Sequence, residues 1–186
     1  YHIPTKTIKS KLFSTGEYKK CDKLTIKKGT FTKNAMFGEK NVEFDVVLNL
    51  IHGWDGEDGT VASLFEFFDI KYIGLRVGAC RVSFDMFLTK GYASSLGIKT
   101  IDYKYFTKFD EVNVDNYPVI VKPVTLGSSI GVSIVKSKEE LSYALDVAFE
   151  FDNAVLIETF IPNIKEYNLA GYKVGNEINY SIVEEP

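Results

Sequence analysis

The chain has 186 residues, 22 Lys+Arg against 25 Asp+Glu for a formal charge of −3, and is 45% hydrophobic and 14% aromatic. This composition supports a packed core in one large or two small domains and is far from that of a disordered chain. No apolar run reaches the roughly 18 residues a spanning helix needs, so a membrane partner is not expected. Cys21 and Cys80 stand far apart with no CxxC, which disfavours a disulfide framework or a zinc knuckle and points to the cytoplasm. The opening Tyr1-His2-Ile3-Pro4 has no signal-peptide pattern and no initiator Met, and reads as a processed chain or a piece of a longer one.

The charge is unevenly spread. Residues 1–40 hold ten lysines against Glu17, Asp22 and Glu39, a balance of +7, and residues 41–186 hold 12 basic and 22 acidic groups, a balance of −10. The early lysines alternate with Thr, Phe and Ile, as on the polar faces of short strands. No Arg, the usual reader of phosphates and base edges, accompanies them. A solvated face is therefore expected, and no nucleic-acid partner.

In chain order, Asp45–Ile51 reads as a buried strand entering a loop at His52-Gly53. Val61, Leu64, Phe65 and Phe68 then repeat at helical spacing behind a Thr60 cap. Ile70–Ile73 is a second strand. Arg81 to Leu96 forms one helix stopped by Gly97, with Phe84, Phe87 and Leu88 on one face. Lys99–Tyr105 is a strand, Lys108–Asn116 a polar turn, and Tyr117–Val121 a strand ending at Lys122-Pro123. The loop Thr125–Ser129 leads into Gly131–Val135. Ser137 and Glu140 form a capping box for a helix carrying Leu141, Ala144, Leu145, Ala148 and Phe149. Ala154–Ile157 is a strand, and residues 164–183 form a hairpin turning at Gly175-Asn176. The pattern is α/β, then α+β, with a junction near Gly74–Gly78.

Four places carry chemistry. His52-Gly-Trp-Asp-Gly-Glu57-Asp-Gly59 follows a strand, where α/β sheets bind ligands. Its glycines admit a ligand to the backbone, and Glu57 is suited to a substrate amine. An acidic turn feeding a helix is the plainer alternative. With His2 the only other histidine, no metal site is expected here. Lys122 closes an apolar strand and calls for an anion, or else snorkels. Gly127-Ser128-Ser129-Ile130-Gly131 offers N–H and O–H donors to phosphate oxygens, although Gly/Ser turns are common. Glu158 interrupts an apolar segment and reads with Glu166 as a ribose-binding carboxylate, or as an exposed edge-strand acid.

The order HGxxGEDG, Pro118-Val-Ile-Val-Lys-Pro123, GSSxG and Val155-Leu-Ile-Glu158 resembles the D-alanine–D-alanine ligases, ATP-grasp enzymes of peptidoglycan synthesis. The likeness is detailed from residue 45 to about 174, and HGxxGEDG is its most specific block. It implies the end of a pre-ATP-grasp α/β domain over residues 1–78, then the central lobe of an ATP-grasp fold over 79–186. It further implies ATP-dependent joining of two D-alanines through an acyl phosphate, by a cytoplasmic homodimer. By this resemblance Glu57 binds the amine of the first D-alanine with His52 nearby, and Ser128 belongs to the catalytic hydrogen-bond network. Lys122, Ser129 and Gly127 hold phosphates, Glu158, Phe160 and Ile161 line the adenine pocket, and Glu166 takes the ribose. Mg²⁺ is expected, with ligands beyond Pro186.

The sequence also departs from the family pattern. Met86 follows Asp85 where the family has a phosphate-contacting lysine, so either Lys90, one helical turn on, compensates or ATP binding is weakened. Trp54 stands where a small or short residue is commoner and is expected to crowd the substrate loop. The glycine-rich first strand and the C-terminal metal ligands are not in the sequence, so a piece inactive by itself is expected. A non-catalytic nucleotide-binding module and another ATP-grasp carboxylate–amine ligase are the alternatives.

Overall fold

Residues 1–186 are all described in the computed structural model and divide into two units. One is Tyr1–Thr100 with Pro123–Gly131, the other Ile101–Lys122 with Val132–Pro186.

The first unit begins with a short helix, α1 (Ser10–Ser14), and a meander of β1 (Leu24–Lys27), β2 (Thr30–Ala35) and β3 (Gly38–Val42). Leu24 and Ile26 are half-buried while Thr25 and Lys27 face solvent, the alternation expected of short strands with polar faces. Several lysines meet carboxylates. Lys27 pairs with Glu39, Lys33 with Asp22 at 2.9 Å and Lys28 with Asp69 at 3.3 Å. The Lys33 and Lys27 partners hold the Asp22 and Glu39 carboxyls below their ordinary range.

The strand expected over Asp45–Ile51 is only β4 (Val47–Leu48). It runs parallel to β5 (Tyr72–Ile73), with α2 (Thr60–Phe67) between them in sequence. Nor is it buried: Leu48 is 56% and Leu50 74% exposed. Two strands cover one face only. Val47 and Tyr72 join Ala62, Phe65, Val77 and Cys80 in a small core, and the alternate residues Leu48 and Ile73 lie on the open face.

Thr60 opens α2 rather than capping it. Gly59 occupies the cap with φ +97°, and the Asp58 carboxylate accepts from the Thr60 N–H at 2.9 Å and hydroxyl at 3.0 Å. The single helix expected from Arg81 to Leu96 is two, α3 (Val77–Phe84) and α4 (Met86–Ser95). Asp85 separates them. Its backbone is extended and its carboxylate accepts the Leu88 N–H at 3.0 Å, an N-cap that stops one helix and starts the next. Gly97 does end α4: its N–H reaches the Ser94 carbonyl and that of Ile98 reaches Ala93, a complete Schellman motif.

The second unit holds a four-stranded sheet in the order β6 (Tyr103–Thr107), β9 (Ala154–Thr159), β7 (Val119–Pro123), β8 (Ser133–Val135). Its helix α5 (Lys138–Phe149) packs Leu141, Ala144 and Ala148 onto Val119, Val121, Val135, Val155 and Ile157. The two-residue period of a strand places Lys122 and Glu158 on the other face of the sheet. The capping box is half formed. Glu140 accepts the Lys136 N–H at 2.7 Å, but the Ser137 hydroxyl bonds Glu139, whose carboxyl it holds low, instead of capping α5. The hairpin β10 (Gly171–Val174) and β11 (Glu177–Tyr180) turns at Gly175-Asn176 as expected, Gly175 taking φ +58°. The α/β-then-α+β pattern is therefore present: a parallel pair with a helical crossover, then an antiparallel sheet backed by a helix. No helix is long and apolar enough to cross a membrane.

Candidate functional site

In the first unit the 52–59 loop borders a cleft of about 420 Å³, lined among others by Asn49, His52, Glu57, Leu75, Cys80 and Phe84. Backbone geometry holds the loop. The Gly53 N–H donates to Glu57 Oε2 at 2.9 Å, the Glu57 N–H to the Gly53 carbonyl at 2.9 Å, and Asn49 Nδ2 to the Gly56 carbonyl at 3.0 Å. A Cβ on Gly56 would overlap the Ile51 backbone, so this position admits only glycine. His52 Nδ1 lies 3.4 Å from Glu57 Oε1, with the imidazole 93% exposed. Glu57 thus presents one oxygen near His52 while the other is fixed by the backbone, leaving a carboxylate at the cleft that suits an ammonium group.

Trp54 is not part of the cleft lining. Its ring rests edge-to-face on Phe84, centroids 5.3 Å apart, and is half exposed. Sequence reading missed Asn49, Leu75, Cys80 and Phe84. Asn49 was findable, as the polar residue in an apolar run just before the loop; Leu75, just before α3, and Cys80 and Phe84, on it, reach the cleft only through tertiary packing. Burial, reinforced by the Asp58 charge, pushes the Cys80 thiol up, which opposes a thiolate nucleophile there.

The Gly127–Gly131 loop lies in the same unit, where the preceding Val124 carbonyl accepts the Met86 N–H at 2.9 Å. Ser128 and Ser129 both take positive φ, +54° and +56°, and are exposed. Lys90 stands half-buried on α4.

In the second unit Lys122 Nζ meets Glu158 Oε2 at 2.5 Å, with side chains 20% and 3% exposed. The anion that Lys122 calls for is thus supplied by the protein itself. Glu158 is not an edge-strand acid, because β9 is an inner strand. A cleft of about 300 Å³ includes Glu158, Tyr103, Lys104 and Asp115 in its lining but neither Phe160 nor Ile161. The Phe160 N–H is tied to the Pro118 carbonyl at 3.2 Å, whereas Ile161 and Glu166 are exposed. No group of three or more His, Cys, Asp or Glu side chains is placed to hold a metal ion.

A family model described as D-ala D-ala ligase N-terminus matches residues 4–75, and one described as D-ala D-ala ligase C-terminus matches residues 92–184, half of the chain. The chain belongs to the D-alanine–D-alanine ligase family. It is 57% identical over its whole length to a D-alanine–D-alanine ligase of a Sulfurovum species and 52% identical over 99% of its length to that of Campylobacter lari. The chain covers 54% of each, so it spans about half the length of these curated ligases. The crystal structure of the Helicobacter pylori D-alanine–D-alanine ligase superposes on all of it with TM-score 0.90 at 46% identity, over 61% of that ligase chain. The VanG D-Ala:D-Ser ligase of Enterococcus faecalis matches 96% of it with TM-score 0.81 at 25% identity, over 55% of its own chain.

Proposed function

We propose that this chain carries the first-substrate site and part of the nucleotide site of an ATP-dependent D-alanine–D-alanine ligase acting in peptidoglycan precursor synthesis. The observation that carries the reading is the Glu57 carboxylate, fixed by the Gly53 N–H at the edge of a cleft. Residues 1–78 then correspond to the α/β substrate domain and 79–186 to the central ATP-grasp lobe.

In this reaction the γ-phosphoryl of ATP passes to a carboxylate oxygen of the first D-alanine, giving an acyl phosphate and ADP. The neutral amine of a second D-alanine attacks the acyl carbon, gives up its proton, and expels phosphate. Glu57 holds the ammonium of the first D-alanine, with His52 beside it, so that the carboxylate is positioned for phosphorylation. Ser128 joins the hydrogen-bond network at the reacting groups. Gly127 and Ser129 supply donors to phosphate oxygens, and the Lys122 charge offsets the polyanion. Glu158, Phe160 and Ile161 contact the adenine, Glu166 the ribose, and Lys90 stands in for the lysine that Met86 displaces.

Mg²⁺, which would neutralise phosphate charge in such a transfer, has no fitting donor set among these residues. A cytoplasmic homodimer completes the proposal.

Equilibrium dialysis tests the substrate site directly. D-alanine is expected to bind in preference to L-alanine, and Glu57→Gln to weaken it at least about tenfold. ATP binding with no D-alanine binding would favour the nucleotide-module alternative. With the complete gene product, ATP and Mg²⁺, phosphate release that needs a different amino acid would favour another ATP-grasp ligase.

A further inference from the structure

Trp54 is held between two left-handed backbone positions, Gly53 at φ +72° and Asp55 at φ +68°. Its indole meets the Phe84 ring at 5.3 Å and an interplanar angle of 72°. Phe84 is the last residue of α3, directly before Asp85, whose carboxylate accepts the Leu88 N–H. Only Phe84 of the two aromatics lines the cleft beside Glu57, together with the apolar Leu75 and Cys80. Trp54 therefore touches the cleft wall from outside.

An amino acid whose ammonium meets Glu57 shares its cleft with that apolar wall. An aromatic ring free to swing on its χ angles yields space to a longer side chain, and a second ring packed edge-to-face against it removes that freedom. We propose that Trp54 is a specificity-determining positioning residue, which backs Phe84 and so holds the cleft to a small amino-acid side chain. The proposal rests on the D-alanine reading of this cleft.

The chain has a single tryptophan, so its emission reports on residue 54 alone. Titration of the 186-residue chain with D-alanine is expected to shift that emission saturably. Dialysis is expected to show D-norvaline and D-leucine binding about tenfold or more weakly than D-alanine, the scale on which a tight apolar pocket rejects added methylenes. Trp54→Ala is expected to weaken D-alanine about threefold and to shrink its advantage over D-norvaline at least about fivefold, with Trp54→Phe restoring it. Circular dichroism confirms that each variant is folded, and Trp54→Leu, which keeps apolar bulk without an aromatic edge, serves if the alanine variant is not. Unchanged discrimination in a folded variant, or emission indifferent to bound D-alanine, overturns the proposal alone. Failure of the unsubstituted chain to bind any of these amino acids overturns the D-alanine reading and the proposal with it.

Discussion

His52 with Glu57 in the first unit and Lys122 with Glu158 in the second each set a nitrogen base beside a carboxylate, yet they are held by opposite means. The first pair is open to solvent, its side chains 93% and 53% exposed at a separation of 3.4 Å. Contact between such groups is worth at most about 1 kcal/mol, so Glu57 owes its place to the backbone N–H of Gly53. The second pair is enclosed, with Glu158 3% exposed. There the ion pair itself helps secure the carboxylate, because removing Lys122 takes its cation from a charge that water barely reaches. Loop geometry can therefore hold a carboxylate in place while leaving it open to solvent, whereas a buried pair holds its carboxylate through charge.

The widest separation between the two regions should come from Glu158→Ala, which strands Lys122 and is expected to cost about 3–5 kcal/mol in chemical denaturation. The double change Lys122→Met with Glu158→Leu should recover most of that loss; recovery of none would assign the cost to packing rather than charge. Next in size is Gly56→Ala, where the added carbon meets the Ile51 backbone. A loss of about 1–3 kcal/mol is expected, together with lost D-alanine binding, whereas removing the His52 side chain should leave thermal stability unchanged. Asp85→Ala removes the cap between α3 and α4, an expected loss of about 1 kcal/mol by denaturant titration.

The smallest effect concerns acid. The Asp22 and Glu39 carboxyls are held low in the folded chain by Lys33 and Lys27. Their stabilisation is present above the ordinary carboxylate range, and is lost as pH falls through the lowered folded values. Thermal unfolding of Asp22→Asn should consequently depend less steeply on pH below about 4 than that of the unsubstituted chain.

Much of this arrangement was legible in sequence. Gly97 stops α4 and Gly175-Asn176 turns the final hairpin because glycine there relieves a local steric conflict, which needs no partner elsewhere. The HGxxGEDG loop stood out for the same reason, its bonds lying within a few residues. Asp85 misled, since its neighbours continue a helical apolar pattern and only its carboxylate, turning to Leu88, divides it. The Asp45–Ile51 run misled in another way. Hydrophobicity marked it for burial, but a two-stranded sheet in the first unit leaves one face uncovered.

The sequence by itself determined the family, the turns and the self-bonded loop that carries Glu57. Those features arise from steric limits and hydrogen bonds between near neighbours, which the residue order specifies directly. Only the tertiary structure decided that Glu158 pairs with Lys122 and that Trp54 meets Phe84 edge-to-face. Each joins residues distant in the chain, and such contacts are set by which side chains packing brings together.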